Sequence, residues 1–269
     1  MEPGADTIAA SSPDGTRASG ASRGFAWEGG MFKLLARWFA SAKFAELAAT
    51  GATMLLSVLV FALVFGAWNA LGFVLMLLCH ELGHYLAARR RGLDVGLPMF
   101  IPFVGAWVQL KGRPHDAETE AYVGLGGPLL GTVAAVLVFY LGLHRDSALL
   151  VSIAYYGFYL NLFNLIPIPP FDGGHITAVL GPRIWLLGVP VLLALLLYRP
   201  SYLLLAMLLV VAWVAAPQLL AAWRREPSAL EAQGYYEVGS AVRWRYGMAY
   251  LGLAGFLALA AHDAHAVLF

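Results

Sequence analysis

Long apolar runs constrain this chain more than any other feature of its sequence. Of its 269 residues, 60% are hydrophobic and only 12% are charged, with a mean hydropathy of +0.72. Soluble domains carry about 25% charged residues, so this composition excludes an ordinary soluble domain. Apolar segments fall at about 44–68, 69–88, 121–143, 147–166, 184–198, 202–223 and 248–268, and all but the fifth have the length of about 17–25 residues that crosses a bilayer. Because the fifth is short, we expect an all-α polytopic membrane protein with six or seven transmembrane helices.

The distribution of positive charge predicts the orientation of the chain. If the N-terminus is cytoplasmic, all of the 17 lysines and arginines except Arg145 and Arg199 fall on the cytoplasmic side. This is a strong positive-inside bias. We therefore expect a multi-pass protein of a bacterial cell membrane with its N-terminus in the cytoplasm.

Three parts are predicted along the chain. Residues 1–30 are rich in Gly, Ala, Ser and Pro and have too few large apolar side chains for a core, so we expect a disordered tail. Residues 31–223 form the predicted membrane core, and 224–269 a cytoplasmic linker followed by the last transmembrane helix. No basic patch alternates with aromatic residues, which argues against nucleic acid as a partner. The sequence does not indicate an oligomeric state.

The segment 97–110, after the second apolar run, is apolar but lacks a helical pattern. It contains two prolines and Gly105, which break helices. Aromatic and β-branched residues around Gly105 favour strands, so we expect a small membrane-associated β-hairpin or sheet. An interfacial loop anchored by Phe103 and Trp107 is the alternative.

The second apolar run contains an H-E-x-x-H motif from His80 to His84. Positions i and i+4 share a helix face, so the two imidazoles can bind one metal ion, with Glu81 beside it as a base. Ionisable side chains are costly at membrane depth and indicate function there; core or pore-lining histidines are the alternative. Because Arg89 follows about 7–14 Å further along the helix, we expect the site near the cytoplasmic face.

A catalytic zinc ion needs a third protein ligand, and Asp172 is the candidate. It lies in a segment with three prolines and two glycines, which ends the fourth apolar run and frees backbone groups. The other acidic residues lie in polar stretches, in loops or near the end of the last run. A proline- and glycine-rich exit loop without metal is the alternative.

These motifs together resemble the site-2 proteases, the intramembrane zinc metalloproteases that cleave membrane-embedded regulators. The resemblance covers about residues 44–180. Its motifs are His80-Glu81-x-x-His84, Gly126-Gly127-Pro128 and Asn164-x-x-Pro167-x-Pro169-x-x-Asp172-Gly173.

The resemblance implies a zinc endopeptidase in the lipid bilayer, acting on a transmembrane protein substrate. The implied site holds one Zn²⁺ per chain on His80, His84 and Asp172, with Glu81 as general base. It also implies that 97–110 forms a membrane-associated sheet that offers an edge to the substrate. The candidate residues at this edge are Phe103, Gly105 and Trp107.

The chain departs from the family pattern at one position of interest. Some members carry Asn three residues after the Gly-Pro step, where this chain has Gly131, so the donor to the scissile carbonyl is unassigned. Candidates for that role, or for support of the metal ligands, are Asn161, Asn164 and His175. The short intervals after Arg91 and Arg225 leave no room for an inserted PDZ domain or an appended CBS domain, so we expect a minimal member.

Two other functions stay open. A prenyl-protein type metalloprotease also carries H-E-x-x-H but needs a glutamate ligand on a later apolar helix, and no later apolar run contains one. A zinc-binding or transport protein would use the histidines to line a pathway without proteolysis.

Overall fold

A computed structural model describes residues 41–102, 105–107, 110, 112–198, 200–224 and 229–269; the predicted tail at 1–30 lies outside them. Helices are expected in a chain of this composition because, away from water, a helix satisfies its backbone N–H and C=O groups within one segment. The described helices are α1 (Ala42–Phe65), α2 (Ala67–Arg90), α3 (Ala117–His144), α4 (Ala148–Asn164), α5 (Asp172–Thr177), α6 (Gly188–Tyr198), α7 (Tyr202–Arg224), α8 (Ala229–Ala232) and α9 (Ser240–Leu268).

Five helices in the described part, namely α1, α2, α3, α7 and α9, are long and apolar enough to cross a membrane. Two further apolar segments, α4 and Pro182–Tyr198, are shorter. The mostly helical, polytopic character is therefore as predicted. The count of six or seven spans stays a prediction, because it depends on these two shorter segments.

Glycines allow α2, α3 and α4 to pack closely. Gly83 of α2 lies against Gly126 of α3, and a Cβ at either position would overlap the opposite helix backbone. Gly72 of α2 likewise lies against Ile153 of α4. Small residues favour such close helix association within lipid. The Gly-Gly-Pro motif thus brings α3 against the turn of α2 that carries H-E-x-x-H.

The last helix packs against α4 in the largest apolar core and begins earlier than its apolar run predicts. It starts at Ser240 instead of at about residue 248. Its first turns are held because Tyr246 packs in a second core with Ala117 and Trp185. Part of the polar stretch between α7 and the last apolar run is therefore helical.

Two short antiparallel strands follow α2. They are β1 (Met99–Ile101) and β2 (Gly105–Trp107), with Phe100 opposite Ala106. This strand pair lies within the segment 97–110, for which a membrane-associated hairpin or sheet is predicted. Its association with the membrane stays a prediction.

A proline-rich turn connects α4 to α5. The α4 helix ends at Asn164 because three prolines follow, and proline lacks the N–H that a helix needs. A Cβ on either glycine after Asp172 would overlap the backbone of this turn. Those glycines allow α5 to fold back on the turn, which places Asp172 at the start of a helix inside the bundle. Two 3₁₀ turns, Ala178–Leu180 and Pro182–Leu187, lead on to α6.

Candidate metal centre

Three side chains from distant parts of the chain converge. His80 and His84 lie one turn apart on α2, and Asp172 begins α5. His80 Nε2 is 3.0 Å from Asp172 Oδ2, and His84 Nε2 is 3.1 Å from Asp172 Oδ1. The two Nε2 atoms are 3.1 Å apart, and one ligand atom from each residue lies within 4.8 Å of the others. Bonds to zinc are about 2.0–2.2 Å long, so this spacing suits a shared ion.

Each imidazole makes a hydrogen bond through Nδ1, and this bond determines whether its Nε2 carries a hydrogen. His84 Nδ1 donates to the Val123 carbonyl at 2.8 Å. His80 Nδ1 donates to Asn161 Oδ1 at 2.9 Å. The Asn161 amide is oriented by its Nδ2, which donates to Gly157 O at 2.7 Å. With hydrogen on Nδ1, a neutral imidazole presents a lone pair at Nε2, which is the form that binds a metal.

This donor set suits a bound cation. Two Nε2 lone pairs and a carboxylate face one another at 3.0–3.1 Å, and acceptors at that distance repel unless a positive charge lies among them. Asp172 Oδ2 is buried and, among the described residues, has no hydrogen-bond partner. Two imidazoles and one carboxylate are also a ligand set that catalytic zinc takes. The residues present therefore fit zinc.

Two glycines of α3 make room for this arrangement. A Cβ on Gly127 would overlap the His84 ring, and a Cβ on Gly131 would overlap the Asn161 amide. Asn161 is fully buried, at 0% exposure. The absence of a side chain at Gly131, where some site-2 proteases have Asn, thus leaves the space that Asn161 fills.

Glu81 is buried beside the converging group, at 6% exposure. It follows His80 by one position, which turns it about 100° around the helix axis. It is not one of the three residues whose ligand atoms converge. Glu81 therefore neighbours the converging residues along α2 without being one of the three.

The three predicted donors differ in their surroundings. Asn161 supports His80, as described above. Asn164 is half-buried, and its Nδ2 donates to Leu160 O on its own helix at 3.1 Å. His175 lies one turn after Asp172 on α5, and its Nδ1 donates to a carboxylate at 2.7 Å.

That carboxylate belongs to Glu120, which sequence reasoning placed among the polar stretches and did not select. Glu120 Oε2 also accepts a hydrogen bond from the Tyr235 hydroxyl at 2.7 Å. His175 is 55 residues from Glu120, and Tyr235 is 115 residues from it. No motif joins residues so far apart, so the sequence carried no signal for this contact.

The predicted substrate edge is only partly described. Phe103 lies outside the described residues, and Gly105 and Trp107 are described by their backbone, as the ends of β2.

The outer edge of β1 is covered by α1. Thr50 Oγ1 donates to Pro98 O at 2.8 Å, and the Phe100 N–H donates to Thr53 Oγ1 at 3.2 Å. Phe100 and Pro98 are both buried. Two of the backbone groups that an added strand would use on β1 are therefore already bonded.

Comparison with known proteins identifies the family of this chain. The family model of peptidase family M50 matches residues 68–147 and 144–184, which include both histidines and Asp172. MJ0611 of Methanocaldococcus jannaschii, assigned by name to the zinc metalloproteases, is 31% identical over 169 residues, covering 51% of this chain and 87% of MJ0611. EGY1 of Arabidopsis thaliana, also assigned by name to the zinc metalloproteases, is 38% identical over 86 residues, or 30% of this chain.

The chain spans only 15% of the length of EGY1. A solved structure, the site-2 protease from Methanocaldococcus jannaschii, aligns with a TM-score of 0.42 at 21% identity, over 65% of this chain and 87% of that chain. The family assignment rests on the sequence matches, above all on the near-complete coverage of MJ0611. The chain therefore belongs to peptidase family M50, the site-2 protease family of zinc metalloproteases.

Proposed function

We propose that this chain is an intramembrane zinc endopeptidase that hydrolyses peptide bonds of membrane-embedded, single-span regulatory proteins. The observation that supports it most is the convergence of His80, His84 and Asp172 in a chain whose described part has five candidate membrane spans. A cluster of hydrogen-bond acceptors without a positive charge is costly within a membrane, so a bound cation is the reason for such an arrangement.

Each site residue has a distinct role in this proposal. His80, His84 and Asp172 hold one zinc ion per chain, which when bound supplies Lewis-acid activation of water and of the scissile carbonyl. A carboxylate oxygen of Glu81 takes the proton of the attacking water and returns it to the leaving amine. Asn161 is already hydrogen-bonded to His80. One of the two remaining candidates, Asn164 or His175, therefore donates the hydrogen bond to the scissile carbonyl oxygen.

The proposal includes a location for the site. The arginines that end α2 follow His84 within two turns, and positive charge concentrates on the cytoplasmic side of a membrane. The site then lies near the cytoplasmic face, the N-terminus is cytoplasmic, and water reaches the centre from that side. Residues 31–223 form the catalytic core, and 224–269 the cytoplasmic linker with the last span.

A substrate helix must unwind before hydrolysis, since its peptide bonds are otherwise enclosed in helical hydrogen bonds. Addition as a strand to the β1–β2 pair would hold it extended. On the β1 side this requires α1 to withdraw Thr50 and Thr53, because these side chains bond to Pro98 and Phe100.

Replacing Thr53 with Val tests strand addition at β1. Valine keeps the shape of the side chain but accepts no hydrogen bond, so the Phe100 N–H becomes free to bond to a substrate strand. The substrate then no longer has to replace a hydrogen bond worth about 1 kcal/mol. We expect KM for a single-span substrate in proteoliposomes to fall about fivefold, with kcat unchanged.

Ser57→Ala is the matched control, since Ser57 is a buried hydroxyl on the same helix with no hydrogen-bond partner among the described residues. Equal KM values for Thr53→Val, Ser57→Ala and the wild-type chain would exclude the β1 edge as the substrate site.

Reporter cleavage tests the proposed function itself. The purified full-length chain, reconstituted with a single-span reporter, is expected to cleave it within the membrane segment, to lose activity with a chelator and to regain it with Zn²⁺. Zinc binding without cleavage of any single-span reporter, or zinc passage across the vesicle membrane, would instead support the binding or transport function.

A further inference from the structure

Glu120 connects α5, the helix that begins with Asp172, to the segment that precedes the last span. It lies in the first turn of α3, with its side chain 18% exposed. One carboxylate oxygen accepts from His175 Nδ1 and the other from the Tyr235 hydroxyl, both at 2.7 Å. Hydrogen bonds to a charged group are the stronger kind, so both partners are held firmly.

The His175 end of this contact fixes α5. His175 and Asp172 lie three positions apart on a helix of six residues, so moving one turns the other. The helix is also in close contact with α3, because a Cβ on Gly124 would lie 3.0 Å from His175 Cβ. Trp185 Nε1 also donates to Gly174 O of this helix at 2.9 Å. The placement of Asp172 thus depends on what holds this short helix.

The Tyr235 end is fixed independently of Glu120. The Ala117 N–H donates to Tyr235 O at 3.0 Å, which joins this segment to the start of α3. The rings of Tyr235 and Tyr236 pack against the core that contains Trp185 and Tyr246. Burial and the nearby Glu120 carboxylate raise the pKa of Tyr235, so its hydroxyl keeps its hydrogen and donates throughout the physiological pH range.

We propose that Glu120 and Tyr235 are positioning residues of the metal centre, which makes the segment 229–239 part of the active site. They act through His175 on the orientation of α5 and therefore on the carboxylate of Asp172. This inference rests on the proposed function for its effect on catalysis, but its effect on metal affinity does not depend on any substrate. Metal sites tolerate little displacement of their ligands, so loosening α5 weakens the site while the fold persists.

The chain supplies two matched pairs of variants. Tyr235→Phe removes the hydroxyl that bonds Glu120, whereas Tyr236→Phe removes the hydroxyl of the neighbouring ring. Glu120→Gln removes a charge from the first turn of α3. Glu118→Gln removes a charge from the same turn, but Glu118 pairs with Arg245 at 2.6 Å and has no contact with α5 among those described.

Zinc affinity of the full-length protein in detergent, measured by competition with a chromophoric chelator, is the first readout. We expect Glu120→Gln to weaken zinc binding about tenfold, with Tyr235→Phe changing it in the same direction and to a smaller extent. Tyr236→Phe and Glu118→Gln should bind zinc as the wild-type chain does. Tyr235→Phe keeps the packed ring, so it reports on the contact even if Glu120→Gln lowers the melting temperature.

Reporter kinetics at saturating zinc is the second readout, with a lower kcat and unchanged KM expected for Tyr235→Phe and Glu120→Gln. Wild-type zinc affinity in both of these variants would overturn the inference, as would equal losses in all four variants. A wild-type chain that binds zinc but cleaves no reporter would refute the proposed function alone, since the affinity comparison still decides the role of Glu120 and Tyr235.

Discussion

Glu81→Gln is expected to bind zinc as the wild-type chain does and to lose turnover by about 10²- to 10⁴-fold. The amide keeps the size of the carboxylate but accepts no proton from the attacking water. Since Glu81 is not among the three converging ligands, the metal should stay in place. Metal analysis and reporter cleavage on the same preparation measure both quantities.

Cys79→Ala is the control for this substitution, because Cys79 lies two positions before Glu81 on α2 and is a free thiol. It should retain both zinc and activity near wild-type levels. Undiminished proteolysis by Glu81→Gln would remove Glu81 from the role of general base. Loss of zinc together with activity would show that Glu81 contributes to holding the metal.

Gly127→Ala is expected to disable the metal centre even though no ligand is changed. A Cβ at this position would overlap the His84 ring, so the imidazole must leave its position beside His80 and Asp172. We expect zinc affinity to fall by more than about 100-fold, beyond the usual effect of changing a residue that only supports a ligand. Intrinsic helix propensity acts the other way, since Ala is favoured over Gly by about 1 kcal/mol.

Gly252→Ala, in the last span, separates the steric effect from the change in helix propensity, because a Cβ there has no atom within 4 Å. It should leave zinc affinity unchanged. Wild-type zinc affinity in Gly127→Ala would contradict the close contact between Gly127 of α3 and the His84 ring.

The residues that converge in the candidate metal centre were predictable because local rules govern them. Helical spacing places His80 and His84 on one face, and no knowledge of the rest of the fold is needed for that. Asp172 could be selected because an acidic residue in an apolar, helix-breaking segment is unusual enough to require a reason. The long apolar runs likewise predicted most of the helices, since their length and composition suffice.

Contacts between distant segments could not be predicted in this way. Glu120 lies in a polar first turn of α3, where an acidic residue needs no explanation beyond the helix dipole. Its partners, His175 and Tyr235, become neighbours only when α5 and the segment before α9 have packed on α3. The hydrogen bonds from α1 to β1 could not be predicted for the same reason. They are made by threonines that in sequence are ordinary residues of an apolar helix.

Zinc K-edge X-ray absorption of the purified chain, with metal analysis of the same sample, tests the central claim most directly. We expect one zinc ion per chain, bound by two imidazole nitrogens and a carboxylate oxygen at about 2.0–2.2 Å, and loss of this spectrum in Asp172→Ala. A zinc environment without imidazole, or an unchanged spectrum in Asp172→Ala, would contradict a centre built from His80, His84 and Asp172.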